Sequence, residues 1–218
     1  MEFRARIVKW DEIEDWCRNI SDSLIKGQIP DAIIGMSRGG LVPARIVSDR
    51  LLIKELYAIK TEHWGLTATI DGTATLKQGL SSNIKGMNVL IVDDITDTGQ
   101  SMKLAYDYIK SQSPGSVRTA AMLHITHSVF KPDYFAREIN DSQWTWFIFP
   151  WNVFEDVMNL SGKIINHEME VAEIKEGLFK AYELEITEEK LSEVLIYMEN
   201  LGKIRKNPNN SFNPIMQS

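Results

Sequence analysis

Val89-Leu90-Ile91-Val92-Asp93-Asp94-Ile95-Thr96-Asp97-Thr98-Gly99-Gln100-Ser101-Met102 is the stretch that decides the fold. Four consecutive apolar residues, Val89 to Val92, read as a strand buried on both faces, as in a parallel sheet. Two adjacent carboxylates stand at its C-terminal end, the end at which open α/β sheets bind ligands. A short Thr/Gly/Ser loop then leads into an amphipathic helix from Met102 to Ser111. Hydroxyls and unpaired backbone N–H groups at a helix N-terminus suit a phosphate. One strand therefore ends in acceptors for hydroxyls and continues into donors for a phosphate, which is the pattern a phosphorylated sugar requires.

Outward from this stretch the chain alternates strands and helices. A helix opens near Asp11, with apolar residues at Ile13, Trp16, Cys17, Ile20 and Leu24. Ala32 to Met36 reads as a buried strand, Ser37-Arg38-Gly39-Gly40 as a turn, Leu41 to Leu52 as a helix and Leu56 to Lys60 as a second strand. Residues 62–83 lose periodicity and predict a lid or a disordered segment. Val117 to His124 is a further apolar strand, and Trp144 to Trp151 is aromatic and apolar. The alternation predicts an α/β fold, a mostly parallel twisted sheet with helices on both faces. From Phe154 the texture becomes helical and rich in Glu and Lys, with Thr187 as a helix cap and Gly202 as a helix end. Residues 207–218 read as a disordered tail or a surface strip.

Composition bounds the function. The 218 residues are 44% hydrophobic and 25% charged, which is ordinary for a globular chain, and the net charge is −6. That balance argues against nucleic acid as a general partner. A single cysteine, Cys17, excludes an internal disulfide and any cysteine-cluster metal site. No apolar stretch reaches membrane-spanning length and no signal peptide is visible, so no membrane partner and a cytoplasmic location are expected.

The opening stretch resembles the signature of the type I phosphoribosyltransferases, which bind 5-phosphoribosyl-1-diphosphate (PRPP). The resemblance covers roughly residues 5–155. It implies that Asp93 and Asp94 hold the ribose hydroxyls and reach Mg²⁺ directly or through water, the metal arriving with PRPP. Thr96, Asp97, Thr98, Gly99, Gln100 and Ser101 would then surround the 5′-phosphate. In the purine-type relatives the aspartate matching Asp97 lies near purine N7, which makes Asp97 the candidate general acid/base. Met36-Ser37-Arg38-Gly39-Gly40-Leu41-Val42-Pro43 resembles the diphosphate loop of the xanthine-guanine enzymes, so Ser37, Arg38 and Gly39 would face diphosphate. Bidentate arginine and glycine N–H groups suit that anion.

The segment Trp144 to Trp151 is similar to the stacking segment of the same enzymes and implies Trp146, with Phe147, against the purine. The 6-oxopurine enzymes carry a lysine for O6 at the end of the preceding strand; here that strand ends Met122-Leu123-His124-Ile125-Thr126-His127, with no lysine at the matching position. Adenine offers an amino donor at position 6 and would be served by a neutral acceptor such as His124. The sequence expectation is thus a purine phosphoribosyltransferase that joins a purine base to PRPP, releasing diphosphate and an AMP- or GMP-type nucleotide, in purine salvage. Adenine is narrowly favoured, a 6-oxopurine is the alternative, and a PRPP-sensing transcription regulator is the alternative of another class. The expected organisation is a catalytic domain over 1–153 with a lid at 62–83 and a hood at 126–152. A helical extension that could form a winged-helix-like unit follows over 154–206, with a tail over 207–218. A homodimer is expected from the resemblance.

Overall fold

A computed structural model describes residues 3–63 and 74–215. In chain order its elements are β1 (Ala5–Ile7), α1 (Trp10–Lys26), β2 (Ala32–Ser37), α2 (Leu41–Leu51), β3 (Leu56–His63), β4 (Ala74–Gln78) and β5 (Asn88–Thr96). Then come α3 (Gln100–Ser111), β6 (Ser116–Ile125), β7 (Tyr134–Ile139), a 3₁₀ turn (Asp141–Gln143) and β8 (Trp146–Ile148). The chain ends in α4 (Val153–Ile164), α5 (Val171–Tyr182), α6 (Glu188–Asn200), β9 (Ile204–Lys206) and β10 (Phe212–Pro214). Two compact units result: Asp11–Trp144 is one, and Met1–Trp10 with Thr145–Ser218 the other.

The first unit is built on a six-stranded sheet in the order β4-β3-β2-β5-β6-β7, parallel except for β4. Alternation along the strands explains why both faces carry helices. Ala32, Ile34 and Met36 of β2 and Val89 and Ile91 of β5 form one core with Met102, Ala105 and Ile109 of α3. Gly35 points to the opposite face, where a β-carbon would lie 3.0 Å from the Ala44 β-carbon of α2. From β2 the chain runs to β3 and β4 on one side, and from β5 to β6 and β7 on the other. The strand order therefore reverses between β2 and β5, and a crevice opens at their carboxyl ends.

The described flanks of the expected lid, up to His63 and from Ala74, are more regular than their composition suggests. β3 continues through Thr61 to His63, and β4 pairs antiparallel with it across an irregularity between Lys60 and Thr61. Thr75, Leu76 and their neighbours serve well in an edge strand once β3 offers its free backbone groups. The central part of the expected lid, 64–73, lies outside the described residues.

The second unit gathers both ends of the chain. β1 pairs in parallel with β8, Ala5 opposite Trp146 and Ile7 opposite Ile148, and the Val8 N–H donates to the Ile148 carbonyl at 2.9 Å. The two compact units part at 10/11 and 144/145. β7 is an edge strand of the large sheet, while β8 belongs with the C-terminal helices. Ile174, Leu178 and Tyr182 of α5 and Leu191, Val194, Leu195 and Met198 of α6 close a core with Val157 of α4 and with Phe212. Phe212 is the reason that residues 207–215 are not a loose tail. It is 2% exposed, it exchanges backbone hydrogen bonds with Met169, and its strand β10 pairs antiparallel with β9.

Both helix boundaries read from the sequence here have a physical cause. The Thr187 hydroxyl accepts from the Lys190 N–H at 3.2 Å, and Gly202, at φ +68°, donates to the Glu199 carbonyl at 2.8 Å. Thr187→Ala should therefore cost about 1 kcal/mol of stability. Denaturant unfolding monitored by helical circular dichroism checks this, and a loss well below half that value would mean the cap is dispensable.

Candidate active site

The loop after β2 and the end of β5 meet at the switch point. Gly39 lies so close to the acid pair that a β-carbon there would come within 1.8 Å of Asp94 Oδ2. A β-carbon on Gly40 would meet the Val92 carbonyl oxygen at 2.6 Å and the Met36 carbonyl oxygen at 2.7 Å. The Ser37-Arg38 peptide is cis, Ser37 ends β2 half-buried, and Arg38 is exposed beside the glycines. Ser37, Arg38 and Gly39 thus share one crevice with Asp93 and Asp94, although the two motifs are far apart in sequence.

The acids sit on the last turn-out of β5, half-buried. The Asp94 N–H donates to the Asp93 carboxylate at 3.0 Å, and the Ile95 N–H donates to Asp94 Oδ1 at 2.9 Å. Burial first, and then the charge of Asp94, push the Asp93 carboxyl well above the usual carboxylate range. Such a pair of adjacent carboxylates fits hydroxyl donors together with a hard cation. Among the described residues no group of three or more His, Cys, Asp or Glu could hold a metal, so the acids form no closed cage.

Asp97, Thr98 and Gly99 make the loop into α3. Gly99 is left-handed at φ +79°, a conformation that favours glycine, and caps α3 without a side-chain hydrogen bond to the helix. The first turn of α3 presents backbone N–H groups of the kind that suit an anion, and the Gln100 N–H donates to the Thr98 hydroxyl at 3.5 Å. The loop is braced by its neighbour: the Val129 N–H donates to the Thr98 carbonyl at 3.0 Å. A β-carbon on Gly99 would come within 2.3 Å of Ser128 Oγ.

Two residues expected at the ligand turn inward instead. Parallel register sets Thr96 of β5 opposite His124 of β6, and the Thr96 hydroxyl lies 3.0 Å from His124 Nδ1. They are 2% and 3% exposed. Thr96 therefore cannot offer its hydroxyl to a 5′-phosphate in this arrangement, and the His124 ring is spent between Thr96 and Phe135, whose ring centroid lies 5.3 Å away. Burial holds His124 below the ordinary histidine value, hence neutral. The other candidates for the base, Trp146 and Phe147, belong to the second unit. Trp146 packs on that unit's core beside Phe3, and the Arg6 guanidinium lies 5.7 Å from the Phe147 ring centre.

Asp97 carries a feature that the sequence did not announce. His127 Nε2 lies 3.0 Å from Asp97 Oδ1, and His127 Nδ1 lies 2.5 Å from Asp141 Oδ1. The hydrogen bond to Asp141, then the charge of Asp97, outweigh partial burial and hold His127 above its ordinary value. Three loops, after β5, β6 and β7, are joined through this imidazole. Its only sequence signal is a histidine two residues past the end of a core strand.

A crevice at the switch point of a parallel sheet, with an acid pair, a diglycine turn and an open helix N-terminus, defines an α/β protein for a phosphorylated, hydroxyl-bearing ligand. The phosphoribosyl transferase domain family matches residues 6–157, and the chain belongs to that family. It is a phosphoribosyltransferase, a pentosyl-transferring enzyme. The xanthine-guanine phosphoribosyltransferase of Cereibacter sphaeroides is 31% identical over 159 residues, covering 67% of this chain and 86% of that protein. The enzyme of the same name from Idiomarina loihiensis is 28% identical over 150 residues, covering 69% and 88%. The purine phosphoribosyltransferase structure from Pyrococcus horikoshii shares the fold, with a TM-score of 0.58 at 24% identity over 67% of this chain and 93% of that one.

Proposed function

We propose that this enzyme makes a purine nucleoside 5′-monophosphate from PRPP and a 6-oxopurine (guanine, xanthine or hypoxanthine). The contact of Gly39 with Asp94 carries the PRPP part of this reading, because it brings diphosphate donors and ribose acceptors into one crevice. The base assignment reverses the sequence expectation. The missing lysine favoured adenine with His124 as acceptor, but His124 is buried and engaged, and the curated relatives are named for xanthine and guanine.

In this reading Asp93 and Asp94 orient the ribose hydroxyls, and Ser37, Arg38 and Gly39 bind the diphosphate. Thr98, Gly99, Gln100 and Ser101 bind the 5′-phosphate through backbone N–H groups and hydroxyls. Mg²⁺ would be held by Asp93 and Asp94, directly or through water, and would neutralise the departing diphosphate. As purine N9 bonds to C1 and the C1–oxygen bond breaks, the diphosphate leaves with the electron pair and Asp97 takes the N7 proton. Trp146 and Phe147 remain proposed base contacts, residues 62–83 a proposed lid, and a cytoplasmic homodimer the proposed assembly.

The order helix, β-bridge, helix, helix, ribbon in the second unit supports a winged-helix-like reading of the extension. It is no DNA reader on this view. Glu188, Glu189 and Glu193 are exposed on α6, and the Lys190 ammonium is paired with Glu193.

Nucleotide formation with PRPP and Mg²⁺, run in parallel on guanine, xanthine, hypoxanthine and adenine, tests the proposal. Turnover of one or more 6-oxopurines in preference to adenine is expected. Adenine alone as substrate would overturn the base assignment, and PRPP binding without turnover of any base would restore the regulator.

A further inference from the structure

We propose that His127, clamped by Asp141, is a positioning residue that fixes the Asp97 carboxylate for proton transfer from the purine. The inference rests on the reading of Asp97 as general base. Its observation is geometric: both ring nitrogens of His127 lie within hydrogen-bond distance of carboxylate oxygens, on Asp97 at 3.0 Å and on Asp141 at 2.5 Å. A neutral imidazole carries one N–H, so donating to both requires the imidazolium. Asp97 stands on a loop and is 42% exposed. A cation whose far side is anchored to Asp141 selects one orientation of its carboxylate.

A purely structural role explains less. Ion pairs this exposed contribute little to stability. The loops after β5 and β6 are already tied by the bond from Val129 to Thr98. What the imidazole adds is a fixed direction for one oxygen of Asp97, and a misdirected base costs rate rather than stability.

The charged groups that face His127 are Asp97 from the loop after β5, Asp141 from the 3₁₀ turn and, more weakly, His124 from β6. The two acids dominate and hold the proton on. The sign follows: the clamp is complete below the ordinary histidine value of about 6.5 and is lost as pH rises through the raised value. The kcat profile should then carry a descending alkaline limb that belongs to His127.

The experiment is steady-state kinetics across pH on His127→Ala, His127→Arg, Asp141→Asn and, in parallel, Asp97→Asn. His127→Ala should lower kcat by roughly 10²-fold and leave KM for PRPP within about twofold, since no PRPP contact is touched. His127→Arg keeps a permanent cation and should recover most of kcat without the alkaline limb. Asp141→Asn should move that limb to lower pH. An unchanged kcat in His127→Ala would overturn the proposal. So would a raised KM for the base at constant kcat, which would set His127 against the substrate, or an alkaline limb unmoved in Asp141→Asn. If Asp97→Asn itself retains full activity, the general-base reading has failed, and the His127 proposal with it. If Asp97→Asn is inactive while His127→Ala is fully active, only the positioning role is lost.

Discussion

Gly39→Ala is expected to lower kcat/KM for PRPP by about 10²-fold with the cooperative unfolding transition intact. The added methyl would lie 1.8 Å from Asp94 Oδ2 and 2.5 Å from its carboxyl carbon. Both atoms belong to the far end of a side chain rather than to backbone, so the carboxylate swings away and the backbone keeps its course. The loss falls on ligand geometry: Asp94 no longer points at the ribose, and the methyl intrudes where diphosphate would lie. Gly40→Ala is the contrasting case. Its methyl would strike the carbonyl oxygens of Val92 and Met36, backbone atoms of β5 and β2 that cannot rotate out of reach. That variant should lose stability as well as activity. Kinetics and thermal unfolding of the two proteins together decide the matter. A Gly39→Ala enzyme with PRPP kinetics like the parent would remove the proposed crevice.

Asp97→Asn should reduce kcat by roughly 10²–10⁴-fold, the range expected when a positioned base is lost. Asparagine keeps the size and the turn-forming ability of aspartate, so the phosphate loop should retain its path. KM for PRPP should move little, because the anion sites on the N-terminal N–H groups of α3 remain. A fall in kcat of less than about tenfold would be too small for a general base and would leave Asp97 as a turn former.

The parts of this fold that were legible in the sequence are those whose signal is local. β2, β5 and β6 are buried on both faces and show as unbroken apolar runs. The acid pair and glycine loop at their ends follow directly in the chain. What could not be read depends on partners distant in sequence. β1 and β8 have three residues each and exist because they pair with each other. Phe212 sits among Asn, Ser and Pro, where composition suggests disorder, yet one buried aromatic ring orders the whole strip. The inward turn of Thr96 and His124 follows from register across two strands, which composition does not report. The link from Asp97 to His127 and Asp141 joins three loops, and no spacing rule would have grouped them.

The pairing of β1 with β8 also sets an order of assembly. Asp11–Trp144, the unit with the acid pair and the phosphate loop, is one uninterrupted stretch of chain. It can complete its sheet while later residues are still being synthesised, because domains fold as units during translation. β1, which precedes that unit in the chain, has no such freedom. β1 must wait for β8 and the helices that follow it, so residues made before the large sheet find their neighbours after it.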